Sequence, residues 1–253
     1  MKNNKPFLIS AFVFACLFSN FCMAASIDIG QGSTVNFGNS IVNNPSHSLS
    51  NSGTAIFADS TTSLLSFSNS NNAQASANGA TISIVEDWNN NGTFSAGNST
   101  VNFIDGGSNT SKITGETRFN VLTVASAIGK ILEFQAERQQ IVLQHLQLTG
   151  VDGNLLTIIS DTPGTPGMLA LSLNNNASQL IDYVDVTDNF GTSQIIAPGT
   201  PESYNSIQGS NVRGWFGTPL AFPIPSLSLI GLLILSTVLI LLASKNKNKG
   251  IQL

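Results

Sequence analysis

Trp88-Asn89-Asn90-Asn91-Gly92-Thr93-Phe94-Ser95-Ala96-Gly97-Asn98-Ser99-Thr100-Val101-Asn102-Phe103 is the stretch whose reading decides the fold. Its last five residues alternate polar and apolar, and a period of two places one apolar row on one face of a strand. Val, Thr and Phe suit the pleated backbone. Gly92 and Gly97, set among Asn and Ser, punctuate the segment as turns.

Outward from it the pattern repeats. Thr81-Ile82-Ser83-Ile84-Val85, Phe119-Asn120-Val121-Leu122-Thr123-Val124, Leu155-Leu156-Thr157-Ile158-Ile159 and Leu169-Ala170-Leu171-Ser172-Leu173 are further candidate strands, with Gly53, Gly106, Gly107, Gly115 and Pro163-Gly164 between them. Lys130 to Leu148 carries no clean helical stripe and is expected to form two strands. The pentapeptide Ser-Thr-Val-Asn-Phe occurs at 33–37 and again at 99–103. Asn51-Ser52-Gly53-Thr54, leading to Leu64-Leu65-Ser66-Phe67, is a looser copy of Asn91-Gly92-Thr93-Phe94 leading to Val101-Asn102-Phe103. Strand–turn units that cannot bury an apolar face alone tend to stack. The expected fold is therefore all-β, a β-solenoid resembling a parallel β-helix, with asparagine ladders between stacked turns. A β-sandwich is the alternative that strands at this spacing also allow.

Charge is scarce and unevenly placed. Asp, Glu, Lys and Arg make up 9% of 253 residues. Lys2 and Lys5 stand at one end and Lys245, Lys247 and Lys249 at the other. The body between keeps five basic residues against all fourteen acids, a net charge of −9. Such a body does not suit nucleic acid, whose affinity comes largely from neutralising phosphates. Cys16 and Cys22 are the only cysteines, so the body has no disulfide framework and no thiolate metal site.

The two ends read as export signals. Lys2 and Lys5, the apolar run Phe7 to Phe18, and Cys22-Met23-Ala24 form a secretory signal peptide with the cut after Ala24. This implies signal peptidase and the Sec export machinery as partners; an uncleaved N-terminal anchor is the other reading. Residues 227–243 are Leu, Ile, Val, Ala and Gly broken only by Ser228, Ser236 and Thr237. A helix of that length spans about 25 Å, enough for a bilayer core. The Lys-rich tail after it stays cytoplasmic by the positive-inside rule, leaving the body outside. The expected organisation is a signal peptide at 1–24, an exported β-rich domain at 25–218 and a C-terminal membrane segment at 219–253.

Pro223-Ile224-Pro225-Ser226-Leu227, followed by the apolar span and a basic tail, resembles the C-terminal sorting signals of Gram-negative bacteria, the PEP-CTERM class and its IPTL-CTERM relative. Ile224-Pro225-Ser226-Leu227 matches the Ile-Pro-Thr-Leu core with Ser for Thr. The chain departs from the pattern at Leu229-Ile230, where Glu-Trp is usual, and in a tail of Lys and Asn rather than Arg. The resemblance implies an exosortase-like membrane peptidase as partner and delivery to the cell surface or matrix; a plain membrane anchor holding the body in the periplasm is the alternative. The body, from Trp88 through Tyr183-Val184-Asp185-Val186-Thr187-Asp188 to Gly214-Trp215, is similar to modules of bacterial secreted and adhesin-like surface proteins. That similarity implies a β-rich module of structural or adhesive use.

No residue set stands out as catalytic, and no cofactor motif is present. Asp182, Asp185 and Asp188 form the densest charged cluster. A turn at Asp188-Asn189-Phe190-Gly191 would bring Asp185 and Asp188 together as oxygen ligands for Ca2+, while turn capping is the simpler role. His47 and His145 are the only histidines, read as a solvated loop residue and a strand-face residue. Trp88 and Trp215 would stack on sugar rings if exposed, or close the core if buried. The expected function is an exported structural or adhesin-like protein without catalysis. The alternatives are a β-helix enzyme acting on polysaccharide and a carbohydrate-binding module that takes a surface glycan.

Overall fold

The computed structural model describes residues 26–171 and 176–217. The signal peptide read at 1–24, the Pro223-Ile224-Pro225-Ser226-Leu227 motif and the apolar span 227–243 lie outside the described residues. Among the described residues no helix is long and apolar enough to cross a membrane.

The chain winds as a β-solenoid. β1 (Ile27–Ile29), β2 (Thr34–Asn36) and β3 (Ile41–Asn44) form the first coil. β4 (Leu49–Asn51), β5 (Thr54–Ile56) and β6 (Thr61–Leu64) form the second. β7 (Phe67–Asn69), β8 (Gln74–Ser76) and β9 (Thr81–Ile84) follow, then β10 (Trp88–Asn90), β11 (Thr93–Ser95) and β12 (Thr100–Phe103). Beyond these the coils rest on longer strands: β13 (Thr110–Gly115) and β14 (Thr117–Ala125), then β15 (Ile131–Phe134) and β16 (Gln139–Thr149). β17 (Leu156–Ser160), β18 (Gly167–Leu171) and β19 (Ser178–Asp182) come next, then β20 (Val184–Val186) and β21 (Asn189–Ser193). A 3-10 helix at Pro201–Tyr204 precedes β22 (Ile207–Gln208) and β23 (Val212–Arg213).

These strands stack into three sheets. The first runs β1-β4-β7-β10-β13-β15-β17-β20-β22, the second β2-β5-β8-β11, and the third β3-β6-β9-β12-β14-β16-β18-β21-β23 with β19 also on β16. Every pairing between these strands is parallel. That excludes the sandwich, which is built from antiparallel sheets. The reading of Lys130 to Leu148 as two strands agrees with β15 and β16.

Alternation sends every second side chain inward, and register lines the inward residues up in columns. Leu49, Phe67, Trp88, Ile113 and Phe134 form one, all buried. Aromatic rings continue across it: Phe37 stacks on Phe57 at 5.1 Å, and Trp88 meets Phe67, Phe94 and Phe119 at 4.5, 5.0 and 5.4 Å in tilted or edge-on contacts. Such offset and edge-on pairs add about 0.5–1.5 kcal/mol each beyond their burial.

Next to that column runs a polar one. Asn51, Asn69 and Asn90 are in register and buried. Asn51 Nδ2 donates to Asn69 Oδ1 at 2.8 Å, and Asn69 Nδ2 donates to Asn90 Oδ1 at 2.9 Å. The second amide proton of Asn51 reaches Gln74 O and that of Asn69 reaches Thr93 O, tying the first sheet to the second. This is the asparagine ladder expected from composition. After Asn51 and Asn90 the glycine two places on is required by the stacking itself, whereas Asn71 holds that place after Asn69. A Cβ at Gly53 would lie 2.4 Å from Gly30 O and Ser33 O, and one at Gly92 2.5 Å from Ser70 O and Ala73 O.

Three details of the repeat differ from the expectation. The twin pentapeptides do not stack on each other: Thr34–Asn36 lies in the second sheet and Thr100–Phe103 in the third. A strand and its turn make one side of a coil, so identical pentapeptides can occupy different sides. The asparagine aligned with Asn51 is Asn90 rather than Asn91, because both precede their glycine by two positions. Leu64-Leu65-Ser66-Phe67 is a corner between β6 and β7 rather than one strand.

Candidate functional site

Asp185 and Asp188 are placed by two different local structures. Asp185 is the outward residue of β20, in register between Thr157 of β17 and Ile207 of β22. Burial among these neighbours raises its carboxyl above the usual carboxylate range. Asp188 sits at the corner between β20 and β21 in the left-handed region, at φ 49°. Gly164 N–H donates to its Oδ2 at 2.9 Å, and Asn211 Nδ2 to its Oδ1 at 2.8 Å. These bonds, the backbone one first, hold its carboxyl below the usual range. Asp188 thus joins the corners of three neighbouring coils. Asp182, at the end of β19, accepts from Asn205 Nδ2. Among the described residues no three His, Cys, Asp or Glu side chains gather as a metal ion would require.

The histidines take surface positions. His47 shares a hydrogen bond with Asn44 Oδ1 in its turn. His145 lies on the outward side of β16, in register with Val121 and Ser178, and its Nδ1 is 2.7 Å from Ser178 Oγ. A Ser–His contact is the geometry of an activated nucleophile, but no third group among the described residues is hydrogen-bonded to this imidazole. Ser178 Oγ also lies 3.3 Å from Gln144 O, so its one proton has two acceptors in reach, the carbonyl and the imidazole. Sequence reading missed this pair because the partners are 33 residues apart.

Neither tryptophan offers a stacking platform. Trp88 is fully buried with its Nε1 on Thr117 Oγ1, and Trp215 is buried with its Nε1 on Asn189 Oδ1. Both therefore close the core.

Two further features were not legible beforehand. Lys130 has no exposed surface, and its Nζ donates to Val85 O at 2.8 Å. Burial lowers its ammonium below the ordinary value, against the nearby charges of Asp105, Glu86 and Asp87, which raise it. The second is a groove of about 340 Å³ where the corners of the first three coils stack. Gln31, Ser52, Thr54, Ser70, Asn72 and Gln74 line it, with amides and hydroxyls and no charge. Such a surface can exchange hydrogen bonds with a polyol or a sugar edge, and it holds no group able to transfer a proton near neutrality. No protein-family model, curated protein or solved structure matches this chain.

Proposed function

We propose that the chain is an exported, membrane-anchored or surface-sorted structural protein of a Gram-negative bacterial envelope, in which the solenoid is a non-catalytic display body. The observation that carries this reading is the pairing of end signals with body composition. A leader and a greasy C-terminal span bracket a body that is acidic, cysteine-free and built of Asn, Ser, Thr and Gly. A parallel solenoid supports it, because nearest-neighbour stacking gives a long polar surface from a short repeat. The Pro223-Ile224-Pro225-Ser226-Leu227 segment is the proposed recognition site for an exosortase-like peptidase, and residues 227–243 the proposed membrane helix.

Deleting residues 219–253 tests it. The body is expected to leave the membrane fraction and appear folded in the periplasm or medium. A product that stays with the membrane, or that never leaves the cytoplasm, refutes the assignment.

The polar groove favours one second reading, a carbohydrate-binding module. Binding on a glycan array that is lost in Asn72→Ala with Gln74→Ala would select it over a purely structural role.

A further inference from the structure

The two ends of the solenoid are built differently. At the C-terminal end the last strands, β22 and β23, are two residues long, Arg213 lies over Phe190, and Trp215 and Phe216 are buried over the last coil with Tyr204 beside them. That is a blunted end. At the other end β1, β2 and β3 also pair on one side only among the described residues, but they are three or four residues long and surround a whole coil.

Hydrogen bonds to the second coil define what the open edge offers. Ile27 N donates to Ser48 O and Ser52 N to Ile29 O; Thr54 N donates to Ser33 O and Phe37 N to Ile56 O; Thr61 N donates to Ser40 O. In a parallel ladder the residues between these point the opposite way. Asp28, Thr34, Asn36, Ile41 and Asn43 therefore turn their backbone N–H and C=O groups to the open edge. Ile27, Val35 and Phe37 are only partly covered, and Ile41 is 81% exposed. The three strands carry one charged residue, Asp28, and no Lys or Pro, the usual guards against edge pairing.

We infer that this edge is a homotypic interface, in which two copies of the chain meet head to head through their first coils. The inference rests on the proposed cut after Ala24, which removes the residues that would otherwise precede β1. Three open strands set around one coil are matched together only by another coil of the same perimeter, which a second copy supplies. Ile27 lies beside Leu49, so the first coil is 22 residues long, the scale of a standard interface at about 20–30 residues a side. The two-residue strands of the far end offer a poorer edge for head-to-tail growth than the first coil offers to its own copy. The assembly therefore closes as a two-fold dimer with facing strands antiparallel.

The test uses the full chain in envelope membranes. Cys16 and Cys22 are changed to Ser, so that Ile41→Cys provides the single thiol. A short bismaleimide is expected to yield a band of twice the monomer mass and nothing larger. Asn43→Pro removes an open-edge donor while sparing the inward bonds of Val42 and Asn44, and should abolish that band; Thr34→Pro repeats the test on β2. Circular dichroism of each variant checks that the β fold is retained. Intact mass is read on the same sample. Cleavage after Ala24 with a monomer only, or a dimer indifferent to both prolines, overturns the interface and leaves the export reading standing. An open-ended ladder of sizes overturns the head-to-head geometry. A retained leader with a monomer overturns both readings.

Discussion

Replacing Asn69 by Ala removes the middle of the asparagine ladder. Three hydrogen bonds go with it: the one accepted from Asn51 Nδ2, and those donated to Asn90 Oδ1 and Thr93 O. At about 1 kcal/mol net each they amount to roughly 3 kcal/mol. The partners differ in what they keep. Asn51 Nδ2 still reaches Gln74 O, but Asn90 Oδ1 loses its donor inside a buried column, which adds a desolvation penalty of about 1–3 kcal/mol. The expected loss is about 4–6 kcal/mol, measured by urea unfolding of the exported chain with far-UV circular dichroism. Ser70→Ala, one position on and partly exposed, is the control, expected within about 0.5 kcal/mol of wild type. A double-mutant cycle of Asn69→Ala with Asn90→Ala should show coupling of about 0.5–3 kcal/mol. If Asn69→Ala unfolds within about 0.5 kcal/mol of the Ser70→Ala control, the ladder does not stabilise the solenoid and the reasoning fails.

Trp88→Ala should destabilise by about 3–5 kcal/mol in the same assay, because a fully buried ring in contact with Phe67, Phe94 and Phe119 leaves a cavity; a loss under about 1 kcal/mol would mean the column is not closely packed. Gly92→Ala forces a Cβ against two carbonyl oxygens at 2.5 Å and should cost about 1–3 kcal/mol, whereas Gly32→Ala, with nothing within 4 Å, meets no contact and suffers only the strain of its positive φ; equal losses would argue against the stacking of turns. Lys130 has a folded-state pKa below its ordinary value of 10.5, so the unfolded chain binds the extra proton and stability rises as pH climbs from the folded value toward 10.5. Lys130→Met should flatten that part of the stability–pH curve, and an unchanged slope would assign it to other groups. Asp188 has its folded pKa depressed, so its stabilisation is present above the unfolded carboxylate value and is lost as pH falls through the folded one. Asp188→Asn should remove that acid-range slope in the unfolding midpoint, and a variant that keeps it would show that Gly164 and Asn211 do not set it.

Local order in this protein is written in the sequence. Period-two alternation at Thr81–Ile84 and Thr100–Phe103, with Gly and Asn between runs, announces short strands and tight turns because both depend on neighbouring residues alone. The loose repeat around Asn51-Ser52-Gly53 announces stacking, since an asparagine beside a glycine at equal spacing has its simplest use in a ladder. Which residues meet is decided only when the coils stack. Partners in register lie 18 to 33 positions apart, and coil length changes from one turn to the next. The side of the coil that a pentapeptide occupies is therefore set by the turns around it and not by its own letters. The same property conceals the buried Lys130, the His145–Ser178 contact and the open edge of the first coil. Each exists because of what lies beside it in the next coil, or because no described coil lies there.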